Sequence, residues 1–204
     1  MNGPTHSRLG RVALGMLGTA FLAANPALAY DSSAGRQKAE ENCAPCHGKD
    51  GVSEQPVVPS LAGQNNDYVV LALFQLRNGH RPSDVMAQFA KPLGDNDLGN
   101  LAAYYSSLKP WQPAREASAP AVAAAPAILQ QHNCVQCHNG PGLAGQQSVP
   151  RIAGQQIDYV TAQLKLFRAG IRGDIDGNMT SAAQGLTDDE IATLADYISG
   201  LKTP

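Results

Sequence analysis

The sequence predicts an all-α protein built from two copies of one domain. The second half repeats the first at an offset of 91 residues, and each half contains the same succession of three segments with apolar residues at helical spacing. Neither half contains a run of β-branched residues alternating with polar ones, as a half-buried strand would. We therefore expect two tandem helical domains, at residues 30–112 and 113–204.

The N-terminus is typical of a secretory signal peptide. Basic residues precede an apolar run at 12–24, and the small residues of Ala27-Leu28-Ala29 follow it. The apolar run is shorter than the roughly 20 residues needed to cross a bilayer. The two arginines of the leader are not adjacent, so Sec export is expected rather than twin-arginine export. We predict that residues 1–29 are removed and that the mature chain begins at Tyr30.

The charge of the chain is mildly negative. It has 15 Lys plus Arg against 17 Asp plus Glu, a net charge of −2, which becomes −4 once the two leader arginines are removed. Both halves are acidic to a similar degree. This argues against nucleic acid, which calls for a basic face, and fits a small protein that meets other proteins.

The repeat extends through most of both halves. A two-residue insertion in the second copy changes the offset from 91 to 93 partway along. The pairs at the first offset are Cys43/Cys134, Cys46/Cys137, His47/His138, Pro59/Pro150, Ala62-Gly63-Gln64/Ala153-Gly154-Gln155, Tyr68/Tyr159, Arg77/Arg168 and Arg81/Arg172, and those at the second include Met86/Met179, Leu101/Leu194 and Tyr104/Tyr197. Duplication of one domain is the simplest explanation.

Each copy is predicted to contain three helices. They lie at about 33–44, 66–78 and 98–108 in the first copy, and at about 127–135, 156–169 and 187–201 in the second. Thr187 and Glu190 are spaced as a capping box at the start of the last helix. Between the copies, prolines in the stretch 109–127 predict an extended, semi-rigid connector rather than a helix.

All four cysteines belong to two Cys-x-x-Cys-His motifs, the attachment sequence for c-type haem. Each thiol forms a thioether with a vinyl group, and the adjacent histidine binds the iron. A zinc knuckle or a redox dithiol is the alternative for an isolated Cys-x-x-Cys. Two complete motifs in a chain with an export signal favour haem attachment, so we predict two covalently bound haem c groups. The cysteines are Cys43, Cys46, Cys134 and Cys137, and the proximal ligands are His47 and His138.

Methionine is the expected second axial ligand of each iron. Without the leader the chain has only Met86 and Met179, one in each copy and at equivalent positions of the repeat. Both are expected in irregular polar loops. A gap-filling role in the core is the alternative for either, and His80 is a competing ligand in the first copy. His132 lies too close to the second motif to reach either axial position.

Pro59 and Pro150 follow the two proximal histidines at equal distances. A metal-bound imidazole usually donates its other nitrogen to a fixed acceptor. We predict that the carbonyl groups of these prolines accept that hydrogen bond.

The motifs together resemble those of the dihaem cytochromes c4. The shared features are the paired Cys-x-x-Cys-His motifs, the Pro-x-Leu/Ile-Ala-Gly-Gln segments, one methionine per copy and the closing Leu/Ile-Ala-x-Tyr helices. The resemblance covers essentially the whole chain after the leader. It implies two class I cytochrome c domains related by a pseudo-twofold axis, each wrapped around a haem. It also implies His/Met ligation by His47 with Met86 and His138 with Met179, and a periplasmic electron carrier that serves a terminal oxidase or another respiratory acceptor.

Two functions besides a free carrier remain open. The first is a haem enzyme, which needs one iron with a labile site; if both irons are saturated, the chain is an electron carrier rather than an enzyme. A dihaem electron-accepting subunit of a dehydrogenase, such as a flavocytochrome c sulfide dehydrogenase with a flavoprotein partner, shares the same architecture. The expected partners are therefore redox proteins, namely an upstream donor complex and a terminal oxidase or reductase, with membrane association peripheral at most.

Overall fold

The computed structural model describes Met1, Gly3 and residues 30–202. The predicted signal peptide lies outside the described residues apart from Met1 and Gly3. Within 30–202, all regular secondary structure is helical. No helix in that range combines the length and apolarity required to cross a membrane.

The described part of the chain contains two sets of five helices in the same order. The helices of the first half are α1 (Ser32–Asn42), α2 (Ala44–His47), α3 (Asn66–Arg77), α4 (Asp84–Ala90) and α5 (Asp95–Ser107). Those of the second half are α6 (Ala119–Gln131), α7 (Cys134–Cys137), α8 (Ile157–Arg168), α9 (Asn178–Gln184) and α10 (Asp188–Gly200). In the first half α5 packs on α1 and α3, and α3 packs on α4. In the second half α10 packs on α6 and α8, and α8 packs on α9. The predicted all-α tandem fold is confirmed.

The last helix of each domain follows the apolar pattern that predicted it. Leu98, Leu101 and Ala102 of α5 are buried, as are Ile191, Leu194 and Ala195 of α10. The Thr187 hydroxyl accepts a hydrogen bond from the Glu190 backbone at 3.2 Å, and the Glu190 carboxylate accepts one from the Thr187 backbone at 2.8 Å. The predicted capping box at the start of α10 is therefore confirmed.

The two methionine segments are more regular than expected. The predicted irregular stretches 82–85 and 174–178 are irregular only up to Ser83 and Gly177, and Met86 and Met179 lie in the first turns of the short helices α4 and α9 that follow. Seven residues are too few to produce a recognisable periodicity. The helices form because they pack on α3 and α8, a contact that the local sequence does not encode.

The prediction of an extended connector through residue 127 was wrong. Helix α6 begins at Ala119 and contains Pro126 in its interior. An interior proline costs about 3 kcal/mol, but Ala121, Ala125 and Leu129 form one buried face that packs on α10. Burial of that face offsets the cost of the proline, which lies on the exposed side. The non-helical connector thus ends before α6, while the boundary at residue 112 stays a prediction.

Helices α1 and α5 cross closely at Gly35. A Cβ atom at this position would overlap the backbone carbonyl group of Asn100. Because the obstacle is backbone, a larger residue can be accommodated only by separating the two helices.

Gly35→Ala is therefore expected to destabilise the protein, although helix propensity alone favours alanine by about 1 kcal/mol. Overpacking of this kind typically costs about 1–3 kcal/mol. Denaturant unfolding of the haem-loaded protein measures the change, with Ser33→Ala on the exposed face of α1 as the control. A gain in stability would contradict the crossing described here.

Candidate haem sites and the interface between the domains

The first Cys-x-x-Cys-His motif forms the junction between α1 and α2. The Cys43 backbone donates to the Ala39 carbonyl at 2.9 Å and closes α1, while Pro45 lies in the first turn of α2, where a proline is tolerated. The thiol of Cys43 is half-buried against the first core, and that of Cys46 is exposed. Both thiols are free and lie on a single helical turn.

The second motif follows α6 with a different junction. Asn133 adopts a left-handed conformation with φ of 56° before α7, which ends at Cys137, whereas Cys43 joins α1 to α2 in the right-handed region. Cys134 is half-buried against the second core and Cys137 is exposed. The burial of the cysteines is thus equivalent in the two motifs, while the local backbone differs.

Both proximal histidines are buried and oriented by a proline. The Nδ1 atom of His47 lies 2.8 Å from the carbonyl oxygen of Pro59, and that of His138 lies 3.1 Å from the carbonyl oxygen of Pro150. Since a carbonyl can only accept, Nδ1 donates in each pair and Nε2 is left to bind a metal. Burial lowers the pKa of both imidazoles, although the proline contacts act in the opposite direction. The predicted histidine–proline contacts are confirmed.

The first cysteine of each motif lies in a partly apolar environment. Burial raises the pKa of the Cys43 and Cys134 thiols. Within residues 30–202, no group of three or more His, Cys, Asp or Glu side chains is placed to hold a metal ion.

The remaining ligand candidates have distinct environments. Met179 is half-buried and borders the second core, which also contacts Cys134. Met86 is half-buried on α4. The exposed His80 ring stacks on Phe74, with 6.4 Å between ring centroids.

His132 is directed towards the start of α10. Its Nε2 atom lies 3.4 Å from a carboxylate oxygen of Glu190. This is consistent with the prediction that His132 does not reach an axial position.

Two glutamines join the domains reciprocally. The Gln155 side chain accepts from the Ser60 backbone at 2.9 Å and donates to the Ser60 carbonyl at 3.0 Å. Gln64 accepts from the Arg151 backbone at 2.8 Å and donates to the Arg151 carbonyl at 2.9 Å. Because Ser60 and Arg151 are themselves equivalent in the repeat, these four bonds exhibit the pseudo-twofold symmetry of the molecule.

This interface explains the repeated Ala-Gly-Gln segments. Ala62 and Ala153 are buried, and the following glycines have positive φ angles of 65° and 70°. A Cβ atom at Gly63 would overlap Pro110, and one at Gly154 would lie 3.1 Å from the Trp111 ring. The connector therefore packs over both glycines while the glutamines face the opposite domain.

Two arginines and two tyrosines form a second reciprocal pair across the interface. Arg81 donates to the Tyr159 hydroxyl at 2.8 Å, and Arg172 donates to the Tyr68 hydroxyl at 3.2 Å. Burial would raise the pKa of Tyr68, but the positive charges of the two arginines outweigh burial and lower it to about 8. Positive charge is thus concentrated where the two domains meet.

The residues present fit a haem in each domain. None of the described salt bridges includes Arg81 or Arg172, and the buried Nε atom of Arg172 has no hydrogen-bond partner. A buried cation without a carboxylate calls for an anion, and haem supplies carboxylates as its propionates. The cysteines and histidines would hold each macrocycle and its iron, and these arginines would pair with propionates. Bound haem supplies one-electron chemistry at iron.

Two α-helical domains of this kind in tandem define a dihaem c-type cytochrome, with two covalently bound haem c groups. The family model described as "Cytochrome C oxidase, cbb3-type, subunit III" matches residues 31–104 and again 120–198. Cytochrome c4 of Thiocapsa roseopersicina is 36% identical over 182 residues, covering 84% of this chain and 93% of that protein. The chain belongs to the cytochrome c4 family, and it is an electron carrier rather than an enzyme.

A solved structure and a second type of relative add to this assignment. The crystal structure of reduced recombinant cytochrome c4 from Pseudomonas stutzeri has a TM-score of 0.70 and 32% identity, and covers 84% of this chain and 98% of that one. The "Thiosulfate dehydrogenase electron acceptor" of Thiomonas intermedia is 33% identical over 169 residues, covering 78% of this chain and 77% of that protein.

The interface residues belong to the sequence repeat, but the repeat does not indicate what they do. Gln64, Tyr68 and Arg81 each recur in the second copy. Recurrence at polar positions outside the motifs was the available signal. It does not reveal that each side chain contacts the opposite domain.

Proposed function

We propose that this cytochrome shuttles electrons in a bacterial respiratory chain, towards a terminal oxidase, through two His/Met-ligated haems. Cys43 and Cys46 attach the first haem, and Cys134 and Cys137 attach the second. His47 with Met86 and His138 with Met179 bind the two irons. The redox partners are an upstream donor complex and a terminal oxidase or reductase.

The observation that carries this proposal is the pair of histidine–proline contacts. Each holds a buried imidazole in one orientation, with Nε2 left for iron, at equivalent positions of both domains. A carrier works best when its coordination is the same in both oxidation states, because little then reorganises on electron transfer. A fixed imidazole and one methionine per domain meet that requirement, and methionine ligation also raises the reduction potential.

The ligation is tested by the weak red absorption band that methionine–iron coordination gives in ferric cytochromes. We expect the band in the wild type, about half its intensity in Met86→Ala or Met179→Ala, and none in the double variant. Val85→Ala, beside Met86 and exposed, is the matched control and should retain the full band. A wild-type protein that lacks the band, or that binds cyanide immediately at both haems, would contradict His/Met ligation.

The proposed location is the periplasm, reached by Sec export with cleavage after Ala29. Support comes from the leader-like composition of residues 1–29. Haem attachment agrees with export, because an exported cysteine pair would otherwise tend to oxidise to a disulfide. Any contact with the membrane is proposed to be peripheral.

A second candidate is an electron-accepting partner of a dehydrogenase. It is favoured by the similarity to the Thiomonas intermedia protein, whose name describes the acceptor of a thiosulfate dehydrogenase. A flavoprotein dehydrogenase remains the alternative within this class. Purification of the untagged complex from its native cell separates the candidates, since a stoichiometric dehydrogenase subunit would favour the second over a free carrier.

A further inference from the structure

The two methionine segments are anchored by different chemical groups. In the first domain, Ser83 caps α4, and its hydroxyl accepts from the Met86 backbone at 3.2 Å. In the second domain, the Asp174 carboxylate accepts from the Met179 backbone at 2.7 Å. At the offset of 91 Ser83 aligns with Asp174, and the two-residue insertion lies between Arg172 and Met179.

Asp174 makes a larger set of bonds than Ser83 does. Its other carboxylate oxygen accepts from the Thr180 backbone at 3.1 Å and from the Thr180 hydroxyl at 2.8 Å. Gly177, the residue before α9, has no side chain with which to cap the helix. Asp174, three residues before Gly177, therefore accepts hydrogen bonds from the backbone N–H groups of Met179 and Thr180 in the first turn of α9. One carboxylate thus fixes two successive residues.

The charge of the acceptor makes this anchor stronger. Hydrogen bonds to an ionised carboxylate are roughly twice as strong as those between neutral groups. A negative group at the start of a helix is favoured further by the orientation of the helix peptide dipoles. The serine hydroxyl at Met86 has neither advantage.

The two methionines also differ in their surroundings. Met179 borders the second hydrophobic core. Met86 lies half-buried on α4 and is not among the described residues of the first core.

We propose that Asp174 is a positioning residue that keeps Met179 on its iron, and that Met86, anchored by Ser83, is the axial methionine that is displaced first. The inference rests on the His/Met ligation proposed above. It means that the two domains differ in how readily an external ligand enters, although their motifs are equivalent in sequence. The first haem is the site at which small ligands bind.

Cyanide binding to the ferric, haem-loaded protein at one neutral pH tests the inference. The wild type should react in two phases, the faster belonging to the first haem. Asp174→Asn should accelerate only the slower phase, by about tenfold to hundredfold, the range expected when hydrogen bonds to a charged group are lost. Ser83→Ala should accelerate only the faster phase, and by less.

Gln184→Ala is the matched control, because Gln184 is exposed on α9, away from Asp174 and from the first turn of that helix. It should change neither phase. Thr180→Val removes the hydroxyl bond to Asp174 and should accelerate the slower phase by less than Asp174→Asn, which keeps the test decisive if that variant loads haem poorly. The NMR signals of the ligated methionine methyl groups in the ferrous protein assign each phase to a domain.

Three results would overturn the inference. They are an unchanged slower phase in Asp174→Asn, acceleration of the faster phase by that variant, or assignment of the faster phase to the second haem. A failure of the underlying ligation looks different, because the wild type would then lack the red band of methionine–iron coordination altogether.

Discussion

Replacing Cys43 and Cys46 with alanine is expected to give an exported protein that carries one haem and has lost most of the helix of its first domain. The apolar core of that domain is too small to compensate for a missing macrocycle. The buried apolar residues that the structure describes there are small or few: Ala39, Ala62, Val69, Ala72, Leu76, Ala90, Leu98, Leu101, Ala102, Tyr104 and Tyr105. A domain of this size is marginal without additional apolar burial, and covalent haem supplies that burial.

The matched variant is Cys134→Ala with Cys137→Ala. The described residues of the second domain bury a similar set of apolar side chains, so that domain should lose a comparable amount of helix without its haem. Intact mass gives the haem count and the cleavage site together, and far-ultraviolet circular dichroism gives the helix content. The wild-type mass should equal residues 30–204 plus two haems. Two haems in either cysteine variant, or unchanged helix content in both, would contradict this account.

Gln155→Ala should cause the largest loss of stability at the domain interface. It removes both partners of the Ser60 backbone, and Ser60 is only 3% exposed. Each buried backbone group left without a partner costs about 1–3 kcal/mol. The free energy of unfolding should therefore fall by about 2–6 kcal/mol.

Gln64→Ala removes the equivalent bonds but should cost less. Its partner Arg151 is only half-buried, so water can replace part of what is lost. Gln88→Ala, on the exposed face of α4, is the control and should change stability by less than about 0.5 kcal/mol.

Denaturant unfolding of these variants can be followed through Trp111, the single tryptophan of the chain. Its ring is buried and lies against Gly154 at the interface, so its emission reports on interdomain contact. We expect the Trp111 transition in Gln155→Ala to precede loss of helix, because the interface opens first. Coincident transitions with unchanged midpoints would show that the glutamine contacts contribute nothing.

Much of the fold and part of each candidate site could be predicted from local patterns. Three helices in each copy and the capping box at Thr187 follow from apolar spacing and terminal chemistry, which act within a few residues. The contacts of His47 and His138 with the prolines were predicted from spacing and known needs of metal-bound imidazole. Assignment of the iron ligands stays a prediction.

What could not be predicted depends on contacts between distant segments. Helix α6 extends back to Ala119 through Pro126 because its buried face meets α10. Local propensity argues against that helix, and a partner some 70 residues away reverses the outcome. The short methionine helices α4 and α9 likewise depend on the helices beneath them.

The sequence by itself determined that the protein has two equivalent helical domains, each with a haem-attachment motif and one methionine. Repetition and motif spacing are properties of the chain and need no coordinates. Only the tertiary structure decided that the domains face each other through Gln64, Gln155, Arg81 and Arg172, and that Asp174 and Ser83 anchor the two methionines unequally. The physical reason is that a hydrogen bond depends on where two groups lie in space. The repeat shows which residues correspond, but not which ones meet.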